Sequence, residues 1–100
     1  MATYIMLMKF IDPGLDSITK ASEGRAAGKK AAKALGITWK NQYLVMGDYD
    51  IITVLEAPND EVIAKFALMG MTGTLSITTV RAFTESEADK LIKGLEAPPG

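Results

Sequence analysis

The chain opens on a run from Thr3 to Phe10 made almost entirely of large or β-branched residues, bounded by Asp12-Pro13-Gly14. An apolar run closed by turn formers predicts a buried strand. From about Pro13 to Leu35 the period lengthens. Leu15, Ile18, Ala27, Ala31, Ala34 and Leu35 share one helical stripe, thin and rich in alanine, with Lys29, Lys30 and Lys33 on the solvated side. Asp12 is the expected cap of this helix, Pro13 its first-turn residue and Gly36 its stop. Ser22-Glu23-Gly24 is expected to kink or split it, since glycine inside a helix costs about 1 kcal/mol relative to alanine. Ile37 to Met46 and Tyr49 to Ala57 read as two strands joined at Gly47-Asp48 by a tight antiparallel hairpin. Asn59 is placed to cap a helix carrying Val62, Ile63, Phe66, Ala67 and Met69 on one face, with Asp60 and Glu61 in its first turn. Gly70 to Gly73 reads as a loop and Thr74 to Phe83 as a fourth strand. Thr84-Glu85-Ser86-Glu87 is a capping box opening a last helix to about Leu95.

This order, βαββαβ with an added C-terminal helix, predicts an α+β fold of the ferredoxin-like type. Its antiparallel sheet would carry both crossover helices on one face. Residues 1–96 are expected to form a single domain and 97–100 a loose tail. The other sheet face is left without a helix. If Met6, Met8, Ile52, Val54 and Val80 face the helices, alternation puts Ile5, Leu7, Lys9, Asn41, Tyr43, Ile51, Thr53, Leu55, Ile77, Thr79, Arg81 and Phe83 on the uncovered side. That set is too apolar for open water, so the expectation is a homodimer, or a higher homo-oligomer, built sheet to sheet. Its polar members would then line a semi-buried cavity.

Composition narrows the chemistry. There is no cysteine and no histidine. Disulfides, thiolate nucleophiles and Fe–S clusters are excluded, and the commonest general base and soft-metal ligand are absent. No cofactor and no metal site is expected. The six methionines read as pliable core filling rather than copper ligands. A net charge of −1 offers no basic face for nucleic acid. The N-terminal apolar run is too short to span a bilayer and lacks the flanks of a signal peptide, so neither a membrane nor export is expected, and the protein is read as cytoplasmic. Gly24, Gly28 and Gly36 lack the lysine–hydroxyl ending of a phosphate loop.

The candidate ligand-binding residues are Lys9, Asn41, Tyr43, Tyr49, Asp50, Thr53 and Arg81. Tyr49 and Asp50 offer a phenol and a carboxylate at a cavity mouth, or else pack and accept turn amides beside the Gly47-Asp48 turn. Lys9 and Arg81, expected near the ends of two neighbouring central strands, would hold an anionic group; alternatively Arg81 pairs with Asp50, with Glu56 or across the dimer. Asn41, Tyr43, Thr53 and Thr79 would supply scattered polar groups in an apolar concavity. Trp39 would cover one end of the cavity or anchor the dimer.

Three stretches carry a family resemblance. Ala2 to Phe10 followed by Asp12 and Gly14, Met46-Gly47-Asp48-Tyr49-Asp50-Ile51 followed by Glu56-Ala57-Pro58, and Arg81-Ala82-Phe83-Thr84-Glu85 resemble the GYD-domain family across nearly the whole chain. The resemblance implies a small bacterial or archaeal protein with a dimeric α/β-barrel fold. It does not select an activity. The reading is a small-ligand-binding dimer for a hydrophobic or anionic molecule. The alternatives are a cofactor-independent enzyme of the monooxygenase or isomerase kind, using Asn41, Tyr43 and Arg81, and a structural dimerisation module.

Overall fold

The computed structural model describes residues 1–11, 14–70 and 75–95. Its elements are β1 (Ala2–Phe10), α1 (Leu15–Thr19), α2 (Ala21–Ala34), β2 (Thr38–Leu44), β3 (Ile51–Ala57), α3 (Asp60–Gly70), β4 (Leu75–Ala82) and α4 (Glu85–Gly94). This is the expected ferredoxin-like order. The four strands pair antiparallel in the order β2-β3-β1-β4, and the sheet stays open rather than closing into a barrel. β1 and β3 are the central strands. β4 therefore lies at an edge, not at the centre where the sequence reading put it.

Local chemistry explains the element ends. Gly36 adopts φ +75°, a left-handed conformation that favours glycine. Its N–H donates to the Lys33 carbonyl (3.2 Å), and the Ile37 N–H donates to the Ala32 carbonyl (2.9 Å). This is the Schellman pattern that closes a helix C-terminus. It also brings Ile37 and Ala32, both buried, into the core. Asn59 Oδ1 accepts from the Val62 N–H at 3.0 Å and starts α3. The capping box of α4 is complete: Thr84 Oγ1 accepts from the Glu87 N–H (3.2 Å) and Glu87 Oε1 accepts from the Thr84 N–H (2.9 Å). The latter bond, foremost, holds the Glu87 carboxyl below its ordinary range, with the Thr84 hydroxyl and the Arg81 charge acting the same way.

Two local expectations are corrected. The first helix breaks at Lys20 (φ −88°, ψ 0°), ahead of Ser22-Glu23-Gly24, which lie inside α2. A glycine lowers helix propensity without obliging a break, and here the short α1 folds as its own turn. The β2–β3 hairpin is not a two-residue turn. Its last bond runs from the Val45 N–H to the Asp50 carbonyl (2.8 Å), enclosing Met46, Gly47, Asp48 and Tyr49, with Gly47 at φ +126°. The expected roles of Asp12 and Pro13, the loop beyond Gly70 and the 97–100 tail lie outside the described residues.

Register decides which face is which. Across the sheet, Trp39, Leu55, Tyr4 and Arg81 form one row, Gln42, Thr53, Met6 and Thr79 a second, and Leu44, Ile51, Met8 and Ile77 a third. These rows turn toward the helices. Met6, Thr53 and Leu55 are the largest of the fully buried side chains, packed with Ala32 from α2 and with Ile63 and Ala67 from α3. The uncovered face carries the rows Asn41, Val54, Ile5, Val80 and Tyr43, Ile52, Leu7, Thr78. The facing expected of β3 and β4 is therefore reversed. Ile51, Thr53, Leu55, Ile77, Thr79 and Arg81 lie on the helix side, whereas Ile52, Val54 and Val80 lie on the open side. The cause is physical: β3 reads Ile-Ile-Thr-Val-Leu, apolar on both faces, so alternation carries no sign.

The Gly36 closure is testable. Replacing Gly36 with alanine forces a Cβ into the left-handed region and should lower unfolding stability by about 1 kcal/mol, read as a reduced midpoint with an unchanged slope in urea.

Candidate functional site

The helix side of the sheet is incompletely filled. α2 presents Ala21, Gly24, Arg25 and Gly28 at helical spacing toward the sheet, and three of these four have little or no side chain. The strands below carry Met8, Ile51, Ile77 and Phe10, and α3 contributes Phe66 and Gly70. Small residues opposite large ones at a fixed helix–sheet separation leave space. The result is a cavity of about 360 Å³ between α1, α2, α3 and the sheet. This lies at the small end of the range of roughly 300–1,000 Å³ for small-molecule sites.

Trp39 walls one side. An added Cβ on Gly28 would sit 3.4 Å from its ring, so glycine lets α2 lie close against the indole. The Lys29 ammonium lies over the same ring, 5.9 Å from the centroid. Among the described residues the polar lining consists of Asp16, Lys20, Arg25 and Gln42. Gln42 is fixed from behind: its Nε2 donates to the Thr53 hydroxyl at 2.9 Å, which satisfies a hydroxyl that is otherwise fully buried.

The sequence-derived residues are divided by the sheet rather than gathered. Lys9, Asn41 and Tyr43 lie on the open face, all exposed. Thr53 is buried behind the cavity wall as the partner of Gln42. Arg81 is on the helix side, opposite Tyr4, while Lys9 is opposite Ser76. Five residues along β1 separate these two positions, roughly 17 Å at strand rise, so Lys9 and Arg81 do not form one anion site. The grouping of Asn41 and Tyr43 with Arg81 is likewise split across two faces. Trp39 lines the helix-side cavity rather than one on the open face, where it was expected. A bulge between Trp39 and Asn41 reverses the alternation there.

Asp50 is bonded to the end of β1 rather than to turn amides. Its carboxylate Oδ2 accepts from the Phe10 N–H (2.9 Å), its own N–H donates to the Met8 carbonyl (2.8 Å), and its carbonyl closes the hairpin. It clamps the end of β1 and so places Phe10 at the cavity. Tyr49 sits half-buried in the hairpin loop beside it.

Arg81 pairs with neither Asp50 nor Glu56. Its Nη1 donates to the carbonyls of Thr3 (3.2 Å) and Ala82, and its guanidinium lies over the rings of Phe83 (4.5 Å) and Tyr4 (5.6 Å). Glu56 instead meets Lys40 at 3.4 Å. Tyr4, buried in the core, donates its phenol proton to Asp60 Oδ1 in the first turn of α3. That hydrogen bond, then burial, raises the Tyr4 pKa above the usual phenol value, against a smaller opposing effect from Arg81. Sequence reasoning singled out none of Tyr4, Gln42, Lys20 or Arg25. The readable trace of the cavity was the Ala21, Gly24, Gly28 spacing on a helix whose apolar stripe is thin.

Among the described residues there is no group of acidic or sulfur and nitrogen ligands able to hold a metal ion, and no helix is long and apolar enough to cross a membrane. Residues 4–92 match the family model of the GYD domain, and the chain belongs to that family. No curated protein matches it.

Tyr4 gives a pH signature. Its folded pKa is raised, so the stabilisation it contributes is whole below the ordinary phenol range, near 10, and is lost as pH rises through the raised value. Denaturant unfolding at pH 8 and pH 11 should show the wild type and Tyr4→Phe converging at the higher pH. A constant gap would mean that the hydrogen bond to Asp60 is not the cause.

Proposed function

We propose that the protein is a small-ligand-binding homodimer in which each chain carries its own site, the helix-side cavity, and pairs with a second copy through the uncovered sheet face. The observation that carries the ligand reading is the 360 Å³ hollow itself. Interiors normally close-pack, and this one stays open because α2 supplies Ala21, Gly24 and Gly28 where larger side chains would fill it. This moves the ligand from the open sheet face, where the sequence reading put it, to the opposite side.

Two apolar surfaces support pairing with a second copy. One is the open face, with Ile5, Leu7, Ile52 and Val54 half-buried and Val80 exposed. The other is α4, which buries none of its residues and leaves Leu91 and Ile92, with Leu95 at its C-cap, more than half exposed. A single partner of the same kind covers both. The open face also carries a cation, Lys9, at one end of β1 and a carboxylate, Glu56 beside Thr3, at the other. A two-fold pairing with the β1 strands reversed sets opposite charges over each other.

Each half has its own test. Gly24→Leu fills the cavity from a position where an added Cβ meets nothing within 4 Å, and it exchanges glycine for a better helix former. It should abolish binding of an uncharged apolar dye such as Nile red while leaving stability equal or higher. Unchanged dye binding would reject the cavity as the site. Leu7→Glu should convert a particle of twice the 10.7 kDa chain mass into a monomer in sedimentation equilibrium. A monomeric wild type would end the dimer reading and leave the ligand reading standing.

A further inference from the structure

The cavity's polar lining is asymmetric in both charge and depth. Gln42 is the half-buried member, at the Trp39 wall, and its amide nitrogen is committed to Thr53. Its Oε1 has no hydrogen-bond partner among the described residues and is left to accept a hydrogen bond from whatever enters. The other three, Asp16, Lys20 and Arg25, are exposed. They lie on α1, on the α1–α2 break and on the first turn and a half of α2, so the break at Lys20 gathers them on one side. Among the described residues none of the three is engaged in an ion pair. Among the described lining residues, two cations stand against one carboxylate, an excess of one positive charge. The apolar walls include three aromatic rings, Phe10, Trp39 and Phe66, and α2 adds the Ala21 methyl and the flat backbone surface of Gly24 and Gly28.

We propose, resting on the cavity-binding reading above, that the ligand is an amphipathic monoanion: a flat aromatic body bearing one carboxylate, and a ring N–H or O–H directed inward. The body lies between the α2 glycines and the sheet, against Trp39 and Phe66. The carboxylate stays at the exposed side with Lys20 and Arg25, and the inward donor meets Gln42 Oε1. Asp16 sets the charge limit, since a dianion already meets one carboxylate there and a cation meets two like charges. A neutral analogue of the same shape keeps the wall contacts and loses the electrostatic part.

Indole-3-acetate and indole-3-acetamide differ in that one respect and serve as probes, titrated by calorimetry at low ionic strength into the wild type, Lys20→Gln/Arg25→Gln, Asp16→Asn and Gly24→Leu. The expected result is that the acid binds tighter than the amide by at least about fivefold, the scale of one or two solvent-facing ion pairs. The double variant should erase that preference with the amide unchanged, Asp16→Asn should widen it, and Gly24→Leu should remove both ligands. Equal binding of acid and amide overturns the anion assignment while the cavity reading survives. A preference that persists in the double variant overturns the assignment of Lys20 and Arg25. Failure of both probes to bind the wild type up to their solubility overturns the proposal together with the cavity reading beneath it. The variants touch exposed side chains, so circular dichroism matching the wild type is the expected control for folding.

Discussion

Everything in this chain depends on the register of β1 between its two antiparallel neighbours. Met6 is set opposite Thr53 on one side and Thr79 on the other, and period-2 geometry then assigns every other residue of three strands to a face. A slip of one residue would carry Leu55, which has no exposed surface at all, out of the core and bring Val54 in. The helices hold the register because their buried contributions are small. Ala32 on α2 and Ala67 on α3 let the helices approach, and among the described residues Ile63 is the one large helix side chain that is buried. The clamp at the far end is Asp50, which binds the main chain of both Met8 and Phe10 and so fixes where the strand stops.

The same economy of side chains produces the cavity. A helix that packs with alanine and glycine gains closeness along its line of contact, and Gly28 against Trp39 is where that closeness is reached. It loses volume beside that line. The strands under the N-terminal half of α2 carry Met8, Ile51 and Ile77, side chains whose length does not make up for what the helix lacks. Filling the gap would take one larger residue at position 24. Helix propensity alone would favour such a residue over glycine, so the sequence forgoes local stability at the place where the hollow forms.

What the sequence disclosed and what it hid follow from range. Features settled within a few residues were legible: the Gly36 stop, the Asn59 cap and the Thr84–Glu87 box all appear where the residues put them. The element order and the uncovered sheet face followed from these. The facing of β3 and β4 was not legible, because Ile51-Ile52 and Val54-Leu55 are apolar in both directions and their register is fixed by β1, more than forty residues away in sequence. The bulge beside Trp39 left no mark either, since Lys40 and Asn41 are both tolerated on an exposed edge. The candidate site inherited that error. Residues grouped by one assumed parity, Thr53 and Arg81 with Lys9, Asn41 and Tyr43, are in fact shared between two faces.

In the proposed dimer, that separation changes how ligand and partner would relate. A site on the sheet face would have been completed by dimerisation, with each chain lining the other's cavity. With the cavity on the helix side, the sheet stands between the two surfaces, and neither needs the other to exist. What joins them is β3, whose odd residues Ile51 and Thr53 support the cavity while its even residues Ile52 and Val54 face the open side. Strand backbones are stiff along their ladders, and β3 is hydrogen-bonded on both edges. A ligand that ordered the Gln42–Thr53 pair would therefore act on the open face through side-chain packing around a fixed backbone, and the coupling between binding and pairing should be small compared with either.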